Sequence, residues 1–302
     1  MIPRFPNFKK LELSDKIEIE LLASKYSPYS DFDFVNLFCW YGGENISWSI
    51  LNDNLVISFN RGKEKRFTYS FLGEYKVNQT AKILLNHLES LGYNNPFLSY
   101  IPEISLNGLS MEDFLIEIDF DNSDYIYNIN ELAFYSDHRY SKKRQLANSF
   151  THKYGNYQVK ILDLYDLSIQ NELLILYDAW SLKKNHNMAG TYINQERDSI
   201  HRFLNNKFDK TLCVGVFVNL NLVAYSIFRI LNNGFAICYF AKVNTDFIGL
   251  NEFLMKMSAS KLLLQNCNWL NYQEDMGIEG LRFSKNSFRP SHFLRKYTIK
   301  QL

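Results

Sequence analysis

Two adjacent carboxylates, Glu274 and Asp275, stand between a strand expected over 268–272 and a short helix expected over about 278–287. Carboxylates in such a place can hold an ammonium group or take the proton of an attacking amine. They can equally cap the helix, whose N-terminus favours negative charge, and the sequence leaves both readings open. Arg282 and Lys285 follow three residues apart, which puts them on one helix face as a possible phosphate contact. A denser basic group, His138, Arg139, Lys142, Lys143 and Arg144, opens a helix whose Leu146, Ala147, Phe150 and Tyr154 form one apolar stripe. Arginine offers a planar fork to phosphate and lysine a point charge. That helix reads either as a platform for an anion such as phosphate, a lipid headgroup or RNA, or as a solvated face.

Other chemistries find no pattern. Ser-His-Asp, HExxH, Walker and Rossmann signatures are absent from the sequence. The four cysteines, Cys39, Cys213, Cys238 and Cys267, lie far apart with no CxxC pair, so no metal site is expected. Three of them sit in apolar runs, where a thiol behaves as a small core residue, and a reducing compartment is the natural setting. The N-terminal residues show no apolar signal core, and no window approaches the roughly 20 apolar residues of a membrane span. A cytoplasmic location is expected. The net charge of +1 rules out general polyanion binding, so any nucleic-acid or lipid contact would come from a local patch. His186 reads as a loop residue without a role.

The elements that must position these residues divide the chain in two, as 302 residues lead one to expect. Ser14 can cap a helix over about 14–25 with Ile17, Leu21 and Leu22 inward. A short helix over 33–41 follows. Strands are expected over 46–51, 55–60 and 66–71, with turns at Asn52-Asp53-Asn54 and Arg61-Gly62-Lys63. A helix over about 78–91 and a strand near 96–101 come next, whereas 111–119 fits helix or strand equally. The second half shows helices over 167–184 and 194–208, a hairpin of strands 211–218 and 222–230, and a strand over 234–242. A helix over 249–265, the strand at 268–272, the short helix and a last strand over 292–299 complete it. Two helices, three antiparallel strands, helix, strand, helix, strand is the element order of the acyl-CoA N-acyltransferase (GNAT) fold, and the first half is a looser version. The expectation is an α+β (α/β) chain: a tandem GNAT-like fold with two mixed sheets flanked by helices. Its domains would be 1–135 and 136–302, with a junction helix at about 136–156.

Several segments together resemble the DUF2156 family, similar to the C-terminal domain of phosphatidylglycerol lysyltransferase. They are Ser123-Asp124-Tyr125-Ile126-Tyr127, Tyr140 with Lys142-Lys143-Arg144, and Leu222-Val223-Ala224-Tyr225. The most specific is the run from Asn271 to Arg282, continued by Lys285, Ser287-Phe288, Pro290 and Phe293 to Tyr297. The resemblance implies kinship with the Fem aminoacyltransferases and an aminoacyl-tRNA or acyl-CoA as co-substrate. It implies catalytic roles for Glu274, Asp275 and Lys285, and substrate contacts for Arg144, Lys142, Lys143 and Arg282; Tyr239 and Lys242, on the third strand where GNAT enzymes meet the acyl carbonyl, are further substrate-contact candidates, with packing the other reading of the tyrosine. The acceptor would be an amine or hydroxyl on a small molecule, peptide or lipid headgroup, and tRNA a partner. A GNAT loop that binds CoA carries Arg or Gln, then Gly-x-Gly/Ala, so that successive N–H groups hold the pyrophosphate. Here the segment is Asp246-Phe247-Ile248-Gly249-Leu250-Asn251. Gly249 is retained as a cofactor contact or as a turn residue, but Asp246 is unfavourable beside a pyrophosphate. An acyl-CoA-dependent N-acetyltransferase and a non-catalytic module binding tRNA or protein are the alternatives.

Overall fold

A computed structural model describes residues 2–42, 45–60, 67–184 and 190–302, so His186 and the turn at 61–63 lie outside the described residues. The chain forms two compact units. Unit 1 holds residues 1–124, 274–279 and 293–302, and unit 2 holds 125–273 and 280–292.

Unit 1 begins with β1 (Lys9–Lys10), α1 (Lys16–Ala23) and α2 (Phe34–Tyr41). A meander of β2 (Ile46–Leu51), β3 (Asn54–Asn60) and β4 (Phe67–Leu72) follows, then α3 (Val77–Ser90) and β5 (Phe97–Pro102). Asn52 and Asp53 turn β2 into β3 with positive φ at both positions, the geometry that matches strand twist in a two-residue hairpin. The ambiguous segment is a strand: β6 (Phe114–Asn128) runs 15 residues and contributes to the strand sets of both units. In unit 1 the strand order is β1-β2-β3-β4-β5-β12-β6, where β12 (His292–Gln301) pairs antiparallel with β5. Val56, Tyr69, Phe71, Leu84, Leu85, Leu98 and Ile299 build the core between these strands and α3.

One expected face is reversed. Ile17 and Leu21 on α1 are 76% and 66% exposed, and Ile19 is the buried residue. A 3-10 turn over Leu13–Asp15 precedes the helix and changes its phase. Ser14 does not cap; Glu12 and Asp15 make a reciprocal capping pair instead.

Unit 2 carries α4 (Ile129–Phe134), α5 (Ser141–Lys153), β7 (Tyr157–Leu162), α6 (Leu167–Lys184) and α7 (Gly190–Asn205). Then come β8 (Thr211–Val218), β9 (Asn221–Ile230), β10 (Phe235–Val243), α8 (Leu250–Leu263), β11 (Trp269–Asn271) and α9 (Glu279–Ser287). The strand order is β6-β11-β10-β9-β8-β7. All neighbours are antiparallel except β10 and β11, which run parallel for three residue pairs, Phe235–Ile237 beside Trp269–Asn271. Beyond that point β10 continues to Val243 while the chain leaves β11, so the two strands part. The core of this unit gathers Tyr127, Phe150, Val214, Phe228, Phe253 and Leu270. Among the described residues no helix is long and apolar enough to cross a membrane.

Candidate active site

Charge in unit 1 gathers at Lys296. Along β12 the residues Leu294 and Lys296 are buried and the residue between them is exposed, so period-two alternation aims this lysine inward. Its side chain is fully buried. The ammonium donates to Ser30 Oγ and to Asp124 Oδ1, both at 2.8 Å, and forms an ion pair with Asp31. Glu274 Oε2 lies 4.0 Å away. Three carboxylates thus surround one cation.

Ser30 organises the group. Its backbone N–H donates to Asp124 Oδ2 at 2.8 Å, and its hydroxyl lies 2.6 Å from Asp124 Oδ1 and 3.1 Å from Glu274 Oε2. One hydroxyl proton serves the two carboxylates in turn. A short 3-10 turn, Ser30–Phe32, places Ser30 and Asp31, and Asn36 on α2 holds it by donating to the Ser30 carbonyl at 3.3 Å. Burial pushes the Asp31 carboxyl up to about 7; the charges of Glu274 and Asp124 push the same way and Lys296 opposes them. Burial works against the Lys296 charge, but Asp124, Asp31 and Glu274 together hold its pKa above the usual lysine range. With all three carboxylates ionised the cluster carries a negative surplus, and Glu274, its side chain 22% exposed, is the member that reaches toward solvent.

Asp275 is fully buried. Its Oδ1 accepts from Gly277 N–H at 2.9 Å, and its carbonyl accepts from Ile278 N–H at 3.0 Å. It therefore shapes the left-handed turn at Met276 and Gly277 that leads toward α9.

Lys285, on α9 in unit 2, is also buried. Its ammonium donates to the carbonyls of Tyr272 at 2.6 Å and Gln273 at 3.1 Å, and faces the Tyr125 and Tyr272 rings. Gln273 in turn donates its side-chain amide to the Cys238 carbonyl at 2.6 Å, just where β10 and β11 part. In this arrangement Lys285 fixes backbone at the split. Arg282 is half-buried on the same short helix.

The basic helix α5 is less open than its composition suggests. Lys143 pairs with Glu252 at 3.0 Å and covers the Phe288 ring. Arg144 donates to the carbonyls of Tyr135 and Ser136. Lys142 is exposed. Tyr239 is buried in the bulge of β10 against Phe203. Lys242 is buried in an ion pair with Glu196 at 2.7 Å. Gly249 starts α8 in the left-handed region, φ +79°, and a Cβ there would stand 2.0 Å from the carbonyl oxygen of Leu146. That glycine lets α5 and α8 approach closely. At this helix start the neighbouring group is an acceptor carbonyl, while Asp246 is paired with Lys183 at the surface.

Sequence reasoning missed Ser30, Asp31 and Lys296 as site residues. The available signal was Lys296 itself, a lysine at an inward position of an alternating strand.

Solved structures share this fold. A conserved protein of unknown function from Bacteroides thetaiotaomicron matches at 24% identity over 100% of both chains, with TM-score 0.85. L-PGS from Bacillus licheniformis matches at 12% identity over 99% of this chain and 93% of that one, TM-score 0.62. A tandem GNAT protein from the clavulanic acid biosynthesis pathway matches at 8% identity over 97% and 98%, TM-score 0.50. None of the curated proteins matches. The fold is that of the tandem GNAT proteins. Residues 24–300 match the family described as phosphatidylglycerol lysyltransferase, C-terminal, and the chain belongs to that family.

Proposed function

We propose that this protein is an aminoacyltransferase that moves an aminoacyl group from a charged tRNA to an amine or hydroxyl on a small molecule, peptide or lipid headgroup. The observation that carries the reading is the gathering of three carboxylates, Asp31, Asp124 and Glu274, around Lys296, with Glu274 reaching toward solvent. Carboxylates gathered in this way attract an ammonium group, and every aminoacyl ester bears one on its α-carbon. A lysyl group, named in the family's description, bears two. Lys296 holds the carboxylates in place through its hydrogen bond to Asp124 and its ion pair with Asp31, so an arriving ammonium meets preorganised acceptors rather than water. Transfer then requires the acceptor to lose a proton, attack the ester carbonyl and expel the ribose oxygen. A carboxylate such as Glu274 suits the first of these steps. Acyl-CoA fits less well, because Asp246 puts a carboxylate in the segment 246–251 and the Leu146 carbonyl packs against Gly249, where a pyrophosphate needs donors.

The test is discharge of total charged tRNA, each amino acid labelled in turn, by the purified protein supplied with membrane and small-molecule extracts as acceptor. Loss of one labelled ester, slowed at least tenfold by Glu274→Gln, is the expected result. Failure to discharge any aminoacyl-tRNA refutes this donor. RNA binding without discharge would replace the enzyme with a binding module.

A further inference from the structure

Unit 2 holds a buried polar cluster of its own. Its anchor is the ion pair of Lys242 Nζ and Glu196 Oε1 at 2.7 Å, each side chain 7% exposed. Lys242 on β10 stands directly opposite Tyr225 on β9, so both side chains leave the strands on the same side. Glu196 and Ser199 lie three residues apart on α7 and share a face. Tyr177 and Trp180, three apart on α6, cover the ammonium with ring centroids at 5.6 and 3.9 Å. A carboxylate and two aromatic faces give Lys242 its partners. Three neighbouring atoms have none. Glu196 Oε2, Ser199 Oγ and Tyr225 OH are all buried without a hydrogen-bond partner among the described residues. Orphaned buried polar atoms are rare and costly, and these three lie on residues gathered around one ion pair: Glu196 is a member of it, Tyr225 stands opposite Lys242, and Ser199 is one helical turn from Glu196.

The orphans define what that guest must be. A carboxylate oxygen only accepts, so the guest must donate a proton to Glu196 Oε2. The Ser199 and Tyr225 hydroxyls each have a proton to give, so the guest must also accept. An ammonium ion cannot accept, and a carboxylate or fully ionised phosphate cannot donate. The charges of Lys242 and Glu196 cancel, so an added ion would be desolvated there without a counter-charge. A neutral alcohol meets every condition. We propose that unit 2 carries a binding site for a hydroxyl group of a neutral polyol, formed by Glu196, Ser199 and Tyr225, with Lys242 holding Glu196 in position. Trp180, half-buried, is the member of the cluster nearest to solvent. Naming this guest as the acceptor rests on the aminoacyl-transfer reading, and would select a hydroxyl over an amine. The binding itself does not depend on that reading.

Glycerol is the probe, with ethanolamine hydrochloride and sodium acetate as charged controls at constant ionic strength. In ¹⁵N-labelled protein the Trp180 indole N–H resonance, assigned by Trp180→Phe, is expected to shift saturably with glycerol and not with the controls. Tyr225→Phe and Ser199→Ala leave the ion pair intact and remove hydroxyls that have no partner. They should therefore keep the melting temperature within a few degrees and weaken glycerol binding by about fivefold to tenfold each, one hydrogen bond's worth. Glu196→Gln should weaken it further. A shift that does not saturate, an equal response to ethanolamine, or undiminished binding in both hydroxyl variants overturns the proposal. So does a crystal structure in glycerol that shows an ordered water only at the three atoms. The titration contains no tRNA, so its failure leaves the discharge test unaffected, and failure of discharge leaves this result readable.

Discussion

Replacing Lys296 by Met removes the buried ammonium while keeping most of its apolar stem. The ammonium gives two charge-assisted hydrogen bonds of 2.8 Å, to Ser30 and Asp124, and an ion pair to Asp31. Removing one side of such a buried group costs about 3–5 kcal/mol, chiefly because the opposing charge stays behind without compensation. With a urea m-value of about 2 kcal/mol per molar, the midpoint for unit 1 should fall by about 2 M. Trp40 and Trp48 in unit 1 can report it once Trp180 and Trp269 are changed to Phe. The pH dependence is the sharper signature. Without the cation that opposes the rise, Asp31 binds its proton in the folded state at pH values where the unfolded chain has released it. Stability of the variant therefore rises as pH falls from 8 to 5. Asp124→Asn added to Lys296→Met should recover roughly half of the loss at pH 8, since it deletes a stranded charge. A loss below about 1 kcal/mol, or one that is the same at pH 5 and pH 8, would refute the buried-cation argument.

Asp31→Asn tests the carboxyl that burial raises from 3.8 to about 7. That raised value makes its stabilising contribution greatest below pH 4 and loses it as pH climbs to 7, so Asn, which never ionises, should flatten the slope. The variant should gain on wild type between pH 5 and pH 8 by an amount on the order of 2 kcal/mol in denaturant midpoints; an unchanged gap argues against a raised Asp31. Gly249→Ala puts a Cβ at a left-handed position and 2.0 Å from the Leu146 oxygen. The backbone conformation alone costs about 1–2 kcal/mol, so the melting temperature should drop by at least about 2 °C; a drop below one degree contradicts the close helix approach.

The order of elements was legible because hydrophobic spacing changes with secondary structure. Leu173, Leu176, Tyr177 and Trp180 repeat at helical intervals on α6, and β8 to β10 read as strands between turn residues. β6 was only half legible: Glu117, Asp119, Asp121, Asn122 and Asp124 are poor strand formers, and its conformation comes from its neighbours in the sheet. Ile17 and Leu21 misled because a 3-10 turn ahead of a short helix rotates its face. In the candidate site, Glu274 stood out as one of two adjacent carboxylates. Lys296 did not, since a lysine in a strand reads as an outward residue until its alternation with Leu294 is followed. Asp31 and Ser30 lie in a short turn that looks like any polar loop. The basic run was visible as composition, but pairing of Lys143 with Glu252, more than a hundred residues later, is a product of folding.

The return of residues 293–302 to unit 1 bears on how the protein is born. β12 sits inside the strand order, between β5 and β6, and brings the buried ammonium of Lys296 to Asp31, Asp124 and Glu274. During vectorial synthesis, residues 1–124 emerge with an interior strand position unfilled and without the Lys296 ammonium that meets Asp31 and Asp124 in the finished fold. Unit 2 is translated almost entirely before that position can close. The nascent first unit is thus a client for chaperones through most of translation, and ribosome stalling before codon 293 would release an acidic, open-edged intermediate rather than a finished domain.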